Sequence, residues 1–255
     1  MKVLLTIALI LCIGGVITKP SQGTIYLPNL MVPAKVMTEW MFISGEQLNG
    51  VDTRYLNITF GGANVGPGHL VMVGDKDPNK EIWYARQAVC DSNGDWTLLD
   101  HRAGFFDFYG GAHQHMHWNT WALYGLINLE TGRITKSEKK SFSLVNSRKT
   151  KYKLDAPGQP KTVPNPLTIG GVTYPMHAYR TLTQIGQRVR AGYMDIYTPW
   201  VNDPIPFSGD GFYLLVGMVD PENKIKEWNE NDNYSAVLLR IKGTSITVLD
   251  YWEAG

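Results

Sequence analysis

The sequence predicts an all-β fold, an antiparallel β-sandwich with long loops, on three observations. Apolar and polar residues alternate with period two along most of the chain after Tyr55, the breaks carry turn residues, and no window holds a sustained helical stripe with caps. Composition agrees. The 255 residues include 13 Tyr, 8 Phe, 8 Trp and 26 Gly, which suit strands and turns, and 44% are hydrophobic, enough to fill a core. Lys and Arg number 24 against 23 Asp and Glu, so a formal charge of +1 offers no global field for nucleic acid or an anionic membrane. Neither is expected as a partner.

Taken in order, residues 1–20 read as a secretory signal peptide. Met1-Lys2 precedes an apolar run from Val3 to Ile17 and a polar, Pro-containing stretch from Thr18 to Gly23. The run falls short of the roughly 20 residues that span a bilayer. Cleavage is expected between Gly15 and Gly23, leaving a secreted, extracellular protein with no membrane segment. Cys12 departs with the signal, so Cys90 stays alone as a buried structural thiol and no internal disulfide forms. Asn57-Ile58-Thr59 and Asn233-Tyr234-Ser235 are glycosylation acceptors in a host that glycosylates.

Residues 24–54 are weakly patterned and are expected to form an N-terminal arm packed across the sandwich. Residues 55–255 form the main domain. Period-two alternation predicts strands at 55–60, 81–90, 96–99, 121–129, 212–219, 234–241 and 245–251. Asp91-Ser92-Asn93-Gly94-Asp95, Glu130-Thr131-Gly132-Arg133 and Lys242-Gly243-Thr244 supply the turn chemistry of three hairpins. Residues 147–171, with five basic residues and four prolines, predict a long surface loop, either a solvated face or a surface that steers an acidic partner.

The informative segment is Ala112-His113-Gln114-His115-Met116-His117-Trp118. On a strand, alternate residues share a face about 6.5–7 Å apart, so His113, His115 and His117 present three imidazoles in one row. Three of the six histidines fall within five residues, and three imidazoles side by side without a metal leave polar nitrogens to satisfy. A thiolate-free nitrogen set suits copper or zinc, with Cu(II) favoured where oxygen chemistry is involved. Gly110-Gly111 allows a sharp turn just before the row. His69 and His101 read as surface or capping residues, and His177 is ambiguous.

The pattern His-Gln-His-Met-His before an aromatic-rich strand resembles the copper motif of the lysyl oxidase family, His-Gln-His-Tyr-His. Tyr124-Gly125-Leu126-Ile127-Asn128 is similar to that family's Tyr-Asp-Leu-Leu-Asp, and Glu138-Lys139-Lys140-Ser141-Phe142-Ser143-Leu144 to its His-Lys-Ala-Ser-Phe-Cys-Leu. Gly192-Tyr193-Met194-Asp195-Ile196-Tyr197 is similar to its Gly-Cys-Trp-Asp-Met-Tyr. The likeness runs on through Gly211-Phe212-Tyr213-Leu214 and Asp220-Pro221 to Glu227, Asn231, Asn233 and Ser235, covering roughly residues 55–242. Ser143 and Tyr193 stand where the family has Cys, and Glu138 and Leu123 where it has His, the pattern of a distant, disulfide-free branch.

The resemblance implies a lysyl-oxidase-like catalytic domain over residues 55–255, a copper-dependent amine oxidase acting on primary amines, plausibly lysine side chains of extracellular proteins. It implies Cu(II) on His113, His115 and His117, and a lysyl tyrosylquinone cofactor built from Lys139 and Tyr197, the two residues that then carry catalysis. The substrate amine becomes an aldehyde, and dioxygen is reduced to hydrogen peroxide as ammonia is released. Lys139 must then reach the Tyr197 ring across 58 positions of sequence. Lys140 is the rival donor, Tyr193 the rival ring, and Asp195 the first candidate for the base. A non-catalytic extracellular metal-binding or adhesion module is the main alternative, carried by the acidic, Asn-rich segment from Asp220 to Ser235, with a quinone-free mononuclear copper oxidase as the third.

Overall fold

Three antiparallel sheets account for most of the strands in the computed structural model, which describes residues 23–48, 51–52, 54–109, 115–154, 162–176 and 181–254. The expected signal peptide, His113 and His177 lie outside these residues. The first sheet runs in the order His115–Trp118, Trp96–Tyr109, Ile82–Asp91, Leu70–Lys76 and Gln184–Val189, with Ile25–Tyr26 paired beside Cys90 and Asp91. The second runs Ile134–Lys136, Ala122–Asn128, Gly211–Val219, Tyr234–Lys242 and Ser245–Glu253. A smaller third sheet runs Arg148–Lys149, Tyr193–Tyr197, Phe60–Asn64 and Leu30–Met31. The one α-helix among the described residues is the single turn Ala34–Met37. An all-β, antiparallel, sandwich-like fold is the outcome.

Local chemistry explains these elements. Ala122–Asn128 alternates fully buried and half-buried side chains, as a strand with one face on the core must. The turn after Asp91 closes with Gly94 at φ +88°, and Asp91 Oδ1 accepts the backbone N–H groups of Asn93 and Asp95, so the register of Cys90 opposite Trp96 is set locally. Each of the three expected hairpins forms.

Trp83, Phe106, Trp118, Trp121, Tyr124, Phe60 and Phe142 are completely or almost completely buried in one core. The sheets approach closely at Gly62, where an added Cβ would lie 2.4 Å from the Trp121 ring. Cys90 is buried, as expected.

Four expectations need correction. The strand expected at 55–60 is two: Tyr55–Asn57 pairs with Phe42–Ser44 and Ile205–Pro206, whereas Phe60–Asn64 enters the third sheet. Between them the Thr59 hydroxyl donates to the Glu39 carbonyl and Asn202 Nδ2 donates to the Ile58 carbonyl at 3.0 Å, so side chains take over from the ladder. The described part of residues 24–54 adds strands to the first sheet, the third sheet and the small sheet of Tyr55–Asn57 rather than lying across them, with Leu30, Val32, Ala34 and Met37 in the core. Part of the expected surface loop is a hairpin, Leu167–Ile169 with Val172–Tyr174, whose Leu167 and Tyr174 pack on Val71, Val73 and Ala88. Both sequon asparagines point inward: Asn57 Nδ2 donates to Ser44 Oγ at 2.8 Å and Asn233 Nδ2 to Glu227 Oε1 at 2.6 Å.

That last contact belongs to a polar web that ties the N-terminal segment down. Glu227 also accepts the Leu30 N–H at 2.5 Å, Asn29 Nδ2 donates to Asp232 Oδ2 at 2.8 Å, and the Asp220 carboxylate caps the N–H groups of Lys224 and Ile225. The acidic segment from Asp220 to Ser235 thus spends these side chains on internal hydrogen bonds.

Candidate functional site

The candidate site is two clusters, one on the edge of the first sheet and one beside the third, linked by the segment from Lys139 to Leu144. His115–Trp118 is an edge strand whose Met116 and Trp118 enter the core, which turns His115 and His117 to the opposite face. The two rings lie 4.9 Å apart, centroid to centroid, with their Nε2 atoms 3.1 Å from one another. His117 is buried and its Nδ1 lies 3.3 Å from Ser141 Oγ. Asp107 stands opposite His117 in the ladder, so the two side chains share a face; its Oδ1 is buried without a hydrogen-bond partner, and burial raises its pKa.

A backbone bridge carries the chain from the histidines to the lysine. Trp118 N–H donates to the Phe142 carbonyl at 2.8 Å, and Phe142 N–H returns to the Trp118 carbonyl at 3.1 Å. Phe142 is fully buried, and its ring meets the Tyr197 ring edge-to-face at 4.6 Å and 71°. Lys139, three residues earlier, extends its Nζ to 4.8 Å from the Phe142 centroid and 5.2 Å from the Tyr197 centroid, and donates to the Val201 carbonyl.

Tyr197 closes the strand Tyr193–Tyr197. Its hydroxyl donates to the Ser143 carbonyl, and its own carbonyl accepts Asn202 Nδ2 at 3.0 Å. Burial lifts the phenol far above its ordinary range, with the Asp195 charge adding to the effect. Two residues back on the same face, Asp195 is fully buried. Ser147 Oγ donates to its Oδ1 at 3.2 Å, and its Oδ2 is buried without a partner. Burial raises this carboxyl well above 3.8, against the pull of Ser147, the Val145 backbone and the Lys139 charge. The same burial lowers the Lys139 amine, opposed by Asp203 and Asp195.

The expected site residues therefore divide as follows. Lys139 and Tyr197 come together, as do His115 and His117, while His113 lies outside the described residues. Among the described residues no three His, Cys, Asp or Glu side chains converge as a metal cage. Lys140 and Glu138 are exposed, and Lys140 makes no ring contact among the described residues. Tyr193 carries the Arg190 guanidinium 4.2 Å over its ring. His101 is exposed, with Nε2 2.9 Å from the Lys224 carbonyl; His69, expected near the surface, is buried, and its Nδ1 accepts the Ala191 N–H at 3.0 Å. Asp107, Ser141 and Asn202 are additions that only ladder register and loop contacts bring to view.

No protein-family model matches the chain, and no curated protein matches it.

Proposed function

We propose that the protein is a secreted, copper-dependent amine oxidase of the lysyl oxidase type, converting primary amines, lysine side chains among them, to aldehydes. The balance is amine, dioxygen and water in, aldehyde, ammonia and hydrogen peroxide out. One observation carries this reading: Lys139 Nζ lies 5.2 Å from the centroid of the Tyr197 ring although 58 positions separate the residues.

The donor set fits a copper ion. Two nitrogens bound about 2.0–2.1 Å from one ion lie roughly 3 Å apart, the separation between the Nε2 atoms of His115 and His117. His113 belongs to the same expected set, and Ser141 steadies His117 through Nδ1. Bound there, copper would supply the redox chemistry for converting a phenol to a quinone with dioxygen as oxidant, and the quinone would supply the electron sink for amine oxidation.

The remaining work falls to side chains. Burial favours the neutral form of Lys139, the only form with a lone pair to add to a ring. The Ser143 carbonyl and Phe142 hold the Tyr197 ring in one orientation. Asp195, whose affinity for protons is raised by burial, is the group to take the proton from the carbon beside the substrate nitrogen.

Peptide mass spectrometry of copper-loaded protein tests this reading. A cross-linked peptide joining Lys139 to Tyr197, with redox-cycling quinone stain and amine-dependent peroxide, is expected. Separate unmodified peptides from copper-replete protein would overturn it in favour of a non-catalytic module.

A further inference from the structure

Two arginines outside this machinery lack counter-ions. Arg188 lies in the edge strand Gln184–Val189, and Arg190 follows just after its end. Arg188 Nη1 and Arg190 Nε are both buried with no hydrogen-bond partner, and neither arginine forms an ion pair among the described residues. Their positive charges oppose one another, and burial together with Arg190 lowers the Arg188 pKa. Desolvated guanidinium donors are costly unless an acceptor meets them, and a forked pair of donors is matched by the oxygens of an anion.

A cavity stands beside them. Arg188 lines a space of about 160 Å³ with Ser143, Val145, Asn146, Met176 and Gln187. Arg190 is a neighbour of the cavity rather than part of its lining: its backbone N–H donates to Asn146 Oδ1 at 2.8 Å, and its guanidinium rests on Tyr193. That volume is ample for an oxyanion head group.

We infer that Arg188, with the Arg190 charge nearby, forms an oxyanion-binding site that takes the carboxylate, sulfate or phosphate group of a ligand at this cavity. The site does not depend on the oxidase reading. It adjoins that centre all the same, because Ser143 both lines the cavity and accepts the Tyr197 hydroxyl.

The test uses the full metal-free chain at low ionic strength, titrated with acetate, sulfate and phosphate, with chloride at matched ionic strength as the control. At least one oxyanion is expected to raise the melting temperature saturably, and Arg188→Gln is expected to weaken that binding about tenfold or more. In the unaltered protein, the effective oxyanion should slow phenylglyoxal modification of Arg188 but not of Arg148, as read by peptide mass spectrometry. The proposal is overturned if no oxyanion exceeds chloride, or if Arg148 is protected equally. A preference for acetate identifies a carboxylate ligand, and a preference for sulfate or phosphate a tetrahedral one.

Discussion

The Phe142 ring stands edge-on to Tyr197 at 4.6 Å and also lies 4.8 Å beneath the Lys139 ammonium, so one buried aromatic side chain touches both residues proposed to join. Its backbone is meanwhile tied to Trp118, next to His117. Phe142→Ala is expected to cost about 3–5 kcal/mol through the cavity it leaves. Phe142→Leu should cost less yet still lower the yield of cross-linked peptide. Urea unfolding and peptide mass spectrometry on the two variants check both statements.

Asp195 makes stability depend on pH with a definite sign. Its folded pKa is raised by burial, so the folded chain binds this proton more tightly than the unfolded one. The resulting stabilisation is complete below about pH 4 and is lost as pH climbs through the raised value. Asp195→Asn should therefore flatten the fall of urea midpoints as pH rises above about 4 and raise stability on the alkaline side. Amine turnover should fall in the same variant.

Ser141 meets His117 at the nitrogen away from His115. Ser141→Ala is expected to leave the melting temperature of metal-free protein nearly unchanged while weakening copper binding by about 10- to 100-fold, the usual effect of removing an outer partner of a metal-bound imidazole. Competition titration against a chelator of known affinity measures it.

A Lys139–Tyr197 bond would close a loop of 58 positions. By the loop-entropy relation used for disulfides, such a closure is worth about 4 kcal/mol, or roughly 10 °C in melting temperature for a chain of this size. Matured protein stripped of copper should melt higher than protein never exposed to copper. Equal melting temperatures would count against the cross-link.

The sheets were largely legible because alternation and turn residues are local: the hairpin at Asp91 to Asp95 needs nothing beyond its own side chains. The approach of Lys139 to Tyr197 and of His115 to His117 was legible through a pattern of motifs. Other features were hidden in non-local relations. Asp107 becomes interesting only when the ladder sets it opposite His117, and Ser141 only when Trp118 and Phe142 bridge. Likewise, Asn29 and Leu30 carry no strand signal, yet Asp232 and Glu227, some 200 positions away, hold them in place. The orphaned donors of Arg188 and Arg190 follow from which neighbours are missing, a property no stretch of residues encodes.

The strand Tyr193–Tyr197 divides two compartments. Met194 and Ile196 face Met31, Val36 and Ala63, while Asp195 and Tyr197 face the lysine. Substitutions walked along this strand should thus yield a striped phenotype, with changes at Asp195 and Tyr197 lowering the proposed amine turnover and changes at Met194 and Ile196 thinning the wall behind it. Selection can retune the rear layer without disturbing the reactive one, so the strand serves as a partition as well as a scaffold.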